Sequence, residues 1–257
     1  MINKPFYRTY RPVDTRGSYS NWAYIEDQEY ARAGRQYVTA FLILQSDIES
    51  LFRFIEPADT NLHTFSFKIH ELLIRTCIEV EANFKAILLE NDYTPKYKKG
   101  NKAGIIKRPD SWSINDYVKV NKSHFLDQYR VRYPFWRGSN NCFIPFAGIE
   151  NSRLDWYKAY NESKHNRIEG FEKANFYNLL NSFAGLFALL CSQFRDISFH
   201  SGPTFLQTDG VGLDGFDSGI GGYLQVKYPK WEEKDLYTFQ WEKLEKEDDR
   251  FQKFNFN

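Results

Sequence analysis

The chain has 257 residues with 34 basic and 33 acidic side chains, and its formal charge of +1 argues against general electrostatic attraction to nucleic acids or acidic membranes. This length suffices for a core without disulfides or metals, and the three scattered cysteines form no Cys-x-x-Cys pair, which disfavours a zinc ribbon or a disulfide framework. The longest apolar run, 179–191, is shorter than the about 20 apolar residues of a membrane span. We therefore expect a soluble, cytoplasmic protein that holds no metal and no cofactor.

The first 26 residues predict an irregular arm, because they are polar and aromatic and contain Pro5, Pro12 and Gly17. A helix is expected from Asp27, as a candidate cap, to about Ile55. Its apolar positions recur every three or four residues, which is the spacing of one helical stripe. They are Tyr37, Phe41, Leu44, Ile48, Phe52 and Ile55.

A second helix is predicted from about Leu62 to Asn91, and the short link predicts an antiparallel hairpin with the first. Its apolar stripe consists of Ile69, Leu73, Cys77, Val80, Phe84 and Ile87. On another face, Glu71, Arg75 and Glu79 follow each other at four-residue steps. They form an ion-pair ladder within the helix, or Arg75 or Glu79 contacts the polar face of the third helix.

Residues 92–150 are predicted to be an insertion of a different character. Between 91 and 137 eleven Lys or Arg face four Asp, an excess of seven positive charges. Glycines and prolines predict a loop first, and two short strands are expected within 129–135 and 142–146. Interleaved Tyr and Trp residues suit base stacking. Together with the excess of positive charge they indicate RNA binding, and the candidate RNA contacts are Lys98, Lys99, Lys107 and Arg108. The alternative is a solvated basic loop.

The third predicted helix, 153–167, carries several polar and charged side chains close together. Asn151 or Ser152 is its candidate N-cap and Gly170 its stop. Helical spacing places Lys158, Asn161 and His165 on the same helix face as Leu154. Lys164 and Arg167 lie one turn apart on a neighbouring face, while Trp156 and Tyr160 are expected in the core.

A fourth helix, 171–194, is apolar on most sides, so it is expected in the middle of the bundle. The Gly-rich stretch 200–222 contains a glycine pattern that matches a dinucleotide-binding loop. That motif, however, needs a strand before it and a helix after it. Its aspartates lack the spacing of a calcium loop. We expect a flexible connection, a strand within 223–228, and an acidic tail that folds back over the insertion or pairs with another subunit.

These elements predict an all-α fold, an antiparallel four-helix bundle with a basic, partly β insertion between helices 2 and 3 and an irregular Gly-rich C-terminal extension. The expected organisation is an arm over 1–26, a bundle domain over 27–200 that contains the insertion 92–150, and an extension over 201–257.

Residues 156–167 (Trp-Tyr-Lys-Ala-Tyr-Asn-Glu-Ser-Lys-His-Asn-Arg), with Ala174 and Asn175 and the segment 71–81, resemble a HEPN-type helical domain. The resemblance covers about 27–91 and 151–195. In active members an Arg, the polar residue after it and a His form a ribonuclease site, and two such helices commonly meet across a dimer. The resemblance implies metal-independent cleavage, in which the RNA 2′-hydroxyl attacks the neighbouring phosphate and a cyclic phosphate and a free 5′-hydroxyl result.

In this sequence His165 matches the family His. The cation departs from the pattern, since Lys158 is the nearest substitute for the Arg and Ala159 follows it where a polar residue is expected. A Lys supplies charge without the planar fork of Arg. The resemblance therefore implies His165 as general acid/base, Lys158 as phosphate clamp and Asn161 as positioning residue, with Lys164 and Arg167 as RNA contacts.

Two functions from different classes remain open. One is an RNA-directed, metal-independent endoribonuclease of defence or toxin type, acting as a homodimer. The other is a non-catalytic HEPN-like module that binds RNA or a protein partner. A third interpretation is a small-molecule pocket lined by the many aromatics. The discriminating observation is whether His165 is exposed in a groove, or is a buried or capping residue that fastens its helix to the next.

Overall fold

The computed structural model describes residues 2–14, 27–195 and 214–257, except the side chain of Arg167. It is a mixed α/β fold in which helices and a four-stranded antiparallel sheet share one core. The prediction of an all-α four-helix bundle is therefore wrong. The predicted stretches 15–26 and 200–213 lie outside the described residues.

Three helices of the described residues pack against a central apolar one. The described helices are α1 (Gly34–Leu51), α2 (Phe67–Glu90), α3 (Ile114–Tyr117), α4 (Asn121–His124), α5 (Asp155–His165), α6 (Arg167–Gly170), α7 (Phe176–Phe194) and α8 (Trp241–Leu244). Helix α7 packs against α1, α2 and α5, and it is buried along nearly its whole length. This confirms the prediction that it lies in the middle. No helix within the described part of the chain is both long and apolar enough to cross a bilayer.

The sheet joins segments that are far apart in the sequence. Its strands are β1 (Arg130–Arg132), β2 (Cys142–Phe143), β3 (Asp217–Ser218) and β4 (Gln225–Lys227), in the order β2-β1-β4-β3. Strand β1 pairs with β2 and β4, so the C-terminal region completes a sheet that begins in the insertion. The strands expected within 129–135, 142–146 and 223–228 are confirmed as short ones, whereas β3 was not predicted.

Helix α1 begins at Gly34 rather than at Asp27. The Asp27 carboxylate accepts a hydrogen bond from the Glu29 N–H at 2.9 Å and binds Arg250 at 2.6 Å, so it organises a turn. Ala33 then adopts a left-handed conformation with φ 56°, which interrupts any helix that would arrive from the N-terminal side. Within α1 the predicted stripe is confirmed, since Phe41, Leu44 and Ile48 are buried.

Helix α2 begins five residues later than predicted. Ser66 caps it, with its side chain accepting a hydrogen bond from the Ile69 N–H at 3.2 Å. On its polar face Arg75 pairs with Glu71 at 3.5 Å and also with Asp47 of α1. Contact with the third predicted helix comes instead from Glu81, which accepts a hydrogen bond from the Tyr157 hydroxyl at 2.8 Å.

The insertion is an integral part of the core. Tyr117 stacks on Phe84 of α2 with ring centroids 5.2 Å apart. Most of the aromatic residues expected to interleave with the basic charges are buried, namely Trp112, Tyr117, Tyr129, Tyr133 and Trp136. These rings cannot stack on bases, so that part of the RNA-binding interpretation is wrong. Their spacing reflects packing against the helices.

Both ends of the chain are packed against the same core. The arm is irregular over 2–14, as predicted, yet Arg8, Tyr10 and Arg11 in it are buried. The acidic tail folds back on the arm, since Lys4 pairs with Glu247 and Asp249 at 2.8 Å each. Farther along, the Phe256 N–H donates to the carbonyl at the start of the insertion, residue 92, at 2.9 Å.

Candidate active site

The polar third helix is shorter than predicted at both ends. Ser152 has φ 56° and Asn151 lies in a 3-10 turn, so neither caps α5. At the other end α5 stops at His165, because Asn166 leaves the helical conformation. The Asn166 side chain then caps α6, accepting from the Glu169 N–H at 3.4 Å and donating to the Glu169 carboxylate at 2.7 Å.

Gly170 allows the short helix α6 to lie directly against α5. A Cβ at this position would be 2.9 Å from the carbonyl carbon and oxygen of Glu162 and from the Cα of Ser163. Glycine is therefore required for close approach of two backbones, and not as the helix stop that the sequence predicts. The contact holds α6 and the residues after it beside the last turns of α5.

Replacing Gly170 by alanine is expected to lower the free energy of unfolding by about 1–3 kcal/mol, because a methyl group forced against backbone atoms must displace α6. Chemical denaturation measures this change. Ile168→Ala is the control on the same short helix, since Ile168 is 94% exposed and its truncation leaves the contact intact. An equal effect of the two substitutions would contradict the close-packing role.

A depression of about 450 Å³ opens where α5 turns into α6. Its lining consists of Asn161, Glu162, His165, Asn166, Glu169, Gly170 and Lys173. His165 is exposed within it, and the capping of the next helix is performed by Asn166. The alternative of a buried or capping histidine therefore does not hold.

The cation in this depression is Lys173 rather than Lys158. The Lys173 ammonium lies 2.8 Å from the Glu162 carboxylate. Lys158 is 74% exposed at its side chain and approaches the other Glu162 oxygen only to 3.9 Å. The hydrogen bond from Lys173 lowers the pKa of Glu162 below its ordinary value, so this carboxyl stays ionised at neutral pH.

Glu162, Glu169 and Lys173 were missed by sequence reasoning. Glu162 precedes His165 by three residues and so shares its side of the helix, a signal that helical spacing alone could have provided. Lys173 carries no such signal. It reaches the depression only because the chain reverses at Asn166 and Gly170 packs closely.

Asn161 lines the depression one turn before His165. Its amide nitrogen donates to the Tyr157 carbonyl at 3.0 Å, which holds the side chain along the helix. Its amide oxygen accepts no hydrogen bond from the described residues. That oxygen is free to orient a hydroxyl or an amino group of a ligand.

Lys164 points away from the depression. Its ammonium donates to the Tyr160 hydroxyl at 3.1 Å and lies 5.1 Å from the centre of that ring. The hydrogen bond to Tyr160 raises the pKa of Lys164. Trp156 and Tyr160 are core residues, as predicted. The side chain of Arg167, the remaining predicted contact on this segment, lies outside the described residues.

The candidate RNA contacts in the insertion divide into two groups. Lys98 and Lys99 are exposed in a loop, and Arg108 is 85% exposed beside Asp110 at 3.7 Å. Lys107 is instead bound to the buried Asp116 at 3.2 Å. Lys107 is therefore structural, while the other three are accessible to a ligand.

The third interpretation, an aromatic small-molecule pocket, corresponds to a depression of about 710 Å³ between the arm, α1 and α2. Tyr7 and Tyr37 line it beside Glu90. Both oxygens of the Glu90 carboxylate are already bound, one by Arg8 at 2.8 Å and one by the Arg32 N–H at 2.9 Å. The Glu90 carboxylate is thus used within the chain rather than for a ligand.

Metal ligands do not cluster in the described parts of the chain. Across 2–14, 27–195 and 214–257, no group of three His, Cys, Asp or Glu side chains is arranged to hold an ion. All three cysteines are free thiols, with Cys77 and Cys191 buried and Cys142 exposed.

No protein-family model, curated protein or solved structure matches the chain significantly.

Proposed function

We propose that the chain is an RNA-directed protein that cleaves RNA without a metal ion at the α5–α6 depression. The observation that carries the proposal is the exposure of His165 beside an ionised carboxylate and an ammonium in one depression. The resemblance of α5 and its neighbours to HEPN-type helices adds support from the sequence. A homodimer and a cytoplasmic location remain expectations that come with this resemblance and with composition.

The side chains supply the groups that RNA transesterification needs. One group must take the proton of the 2′-hydroxyl, another must protonate the leaving 5′-oxygen, and a cation must stabilise the crowded phosphate. His165 supplies an imidazole, the side chain that most often transfers protons in catalysis, and Glu162 is the ionised carboxylate three residues before it on the same side of α5. Lys173 takes the clamp role assigned above to Lys158, and the Asn161 amide positions the ribose.

Among the described lining residues the carboxylates outnumber the ammonium, because Glu162 and Glu169 accompany the single lysine Lys173. Long-range attraction of RNA must therefore come from other cations, such as Lys98 and Lys99 in the insertion loop. A phosphate that enters competes with Glu162 for the Lys173 ammonium. That exchange releases the carboxylate to act as a base.

Cleavage of single-stranded and structured RNA in excess EDTA tests the proposal. The native protein is expected to produce cyclic-phosphate and 5′-hydroxyl ends, and His165→Ala is expected to reduce the rate roughly 100-fold, the lower range for loss of a general acid or base. Lys164→Ala is the matched control. It removes a cation from the adjacent position outside the depression and should retain the native rate.

Equal cleavage by the native protein and His165→Ala would contradict the proposed site. Absence of cleavage by the native protein across all RNA types would favour the second candidate function, a non-catalytic module that binds RNA or a protein partner. A specific observation supports that alternative, since Arg130 and Lys230 have no carboxylate partner among the described residues.

A further inference from the structure

A second depression, of about 400 Å³, lies on the outer face of the sheet. It is lined by Gln128, Arg130, Arg132, Cys142, Phe216, Lys227, Tyr228, Pro229 and Lys230. Four of these side chains are cations and none is a carboxylate. The depression is distinct from the α5–α6 site, with which it shares no lining residue.

Strand geometry explains why these charges are gathered. Successive side chains of a strand point to opposite faces of the sheet. Val131 and Val226 point into the core and are fully buried, so Arg130, Arg132 and Lys227 point outward. Arg130 is the direct cross-strand partner of Lys227. Two like charges at such a position destabilise a sheet, and a bound anion would offset that cost.

Arg132 is already engaged within the protein. Its guanidinium binds the Asp214 carboxylate at 2.6 Å and lies 3.9 Å from the centre of the Phe216 ring. The hydrogen bond from Arg132 lowers the pKa of Asp214, and this carboxylate neutralises one positive charge. Arg132 therefore forms the floor of the depression rather than its free binding group.

The other cations remain available. Lys227 donates one hydrogen bond to the Asp214 carbonyl at 3.0 Å, and its other two donors are not used by the part of the chain that the structure describes. Arg130 and Lys230 are exposed, and neither makes an ion pair or side-chain hydrogen bond within the described residues. Arg132 covers one face of the Phe216 ring, and Tyr228, the other aromatic residue of the lining, packs its ring against Tyr10 and Tyr129. The arrangement suits a phosphate group and not a base.

We propose that this depression binds phosphate groups through Arg130, Lys227 and Lys230. The phosphate belongs either to the backbone of a single-stranded nucleic acid or to a small phosphorylated molecule. The binding chemistry is the same in both cases, namely charge-assisted hydrogen bonds from cations to phosphate oxygens.

Cys142 provides an intrinsic reporter of occupancy. It is the exposed cysteine and lies in the lining, opposite Arg132 in the β1–β2 pairing, whereas Cys77 and Cys191 are fully buried. The rate at which N-ethylmaleimide modifies Cys142 is measured in the full chain by mass spectrometry at constant ionic strength. The two probes are pyrophosphate and a 2′-O-methyl oligoribonucleotide, which the 2′-hydroxyl chemistry cannot cleave.

Protection of Cys142 by pyrophosphate at concentrations similar to those of the oligonucleotide supports a small phosphorylated ligand. Protection by the oligonucleotide alone supports a nucleic-acid backbone. The double variant R130Q/K230Q should weaken the protecting interaction roughly 100-fold, because two charge-assisted hydrogen bonds are lost and each costs about a factor of ten. In a separate series at several salt concentrations, the slope of log affinity against log salt should decrease by roughly 0.7 for each lost phosphate contact.

K243Q/K246Q is the matched control, since it removes the same charge from exposed positions of the acidic tail. No protection by either probe, or equal weakening by both double variants, would overturn the proposal. His165→Ala should leave protection unchanged, so failure of this site and failure of the proposed cleavage site are separate results.

Discussion

Replacing Arg8 by alanine is expected to lower the free energy of unfolding by about 3–5 kcal/mol, the range for breaking a buried ion pair. Arg8 is fully buried, and each of its three guanidinium nitrogens donates a hydrogen bond. It donates to the Glu90 carboxylate at 2.8 Å, to the Gln193 amide oxygen at 2.9 Å and to the Arg32 carbonyl. The guanidinium also lies 4.7 Å from the centre of the Tyr37 ring.

The substitution would leave acceptors on α2, on α7 and in the turn before α1 without their shared donor. The side chain of Glu90 is only 16% exposed, so its charge would lose a partner that water replaces poorly. The measurement is the midpoint and slope of urea unfolding, compared with Lys4→Ala on the same arm. Lys4 pairs with Glu247 and Asp249 at the surface, and its removal should have only a small effect.

Adding Glu90→Gln to Arg8→Ala should recover part of the lost stability, because it removes the uncompensated charge. A loss for Arg8→Ala no greater than that for Lys4→Ala would show that the arm does not hold α2, α7 and the turn before α1 together. The arm would then be a covering over a core that is stable without it.

Acidification from pH 6.5 to pH 4 is expected to lower the free energy of unfolding by up to about 3 kcal/mol through His124 alone. His124 is fully buried. Its Nε2 donates to the Arg8 carbonyl at 2.8 Å and its Nδ1 lies 2.6 Å from the Ser123 hydroxyl. Burial lowers the pKa of His124 to about 4, and the charge of Arg11 acts in the same direction.

The direction of this pH effect follows from the proton that His124 takes up on unfolding. Between pH 4 and 6.5 the unfolded chain binds a proton at this histidine and the folded chain does not, so falling pH favours unfolding. Urea unfolding at several pH values from 7 to 5 measures the slope above the range in which most carboxylates titrate. His124→Gln should flatten this slope, whereas His165→Ala, at an exposed position, should retain it. A retained slope in His124→Gln would assign the acid sensitivity to other groups.

Arg8 and His124 act on the same short segment, because the carbonyl that accepts from His124 belongs to Arg8. Their substitutions should therefore not be additive. This coupling joins the arm, the insertion and the central helix α7 into one cooperative unit. The sequence suggests instead an arm and an insertion appended to a bundle, since neither segment has a periodic apolar pattern of its own.

Local patterns predicted the helices best. The apolar stripes of α1 and α2 and the nearly continuous apolar surface of α7 are properties of neighbouring residues, and the structure places them as expected. Helix ends were less predictable. Asp27, Ser152 and Gly170 all have residue types typical of helix ends, but a turn, a left-handed backbone and a close helix contact respectively determine their roles.

By itself, the sequence determined the four longer helical segments, three of the four strands, and the concentration of polar groups around His165, but not the short helices α3, α4, α6 and α8. Only the tertiary structure decided that β4 pairs with β1, that Lys173 rather than Lys158 accompanies His165, and that Arg130, Lys227 and Lys230 gather on one sheet face. The physical reason is that periodicity reports which face of an element is buried. Pairing between distant strands and the reversal at Asn166 depend on hydrogen bonds and packing across the whole chain.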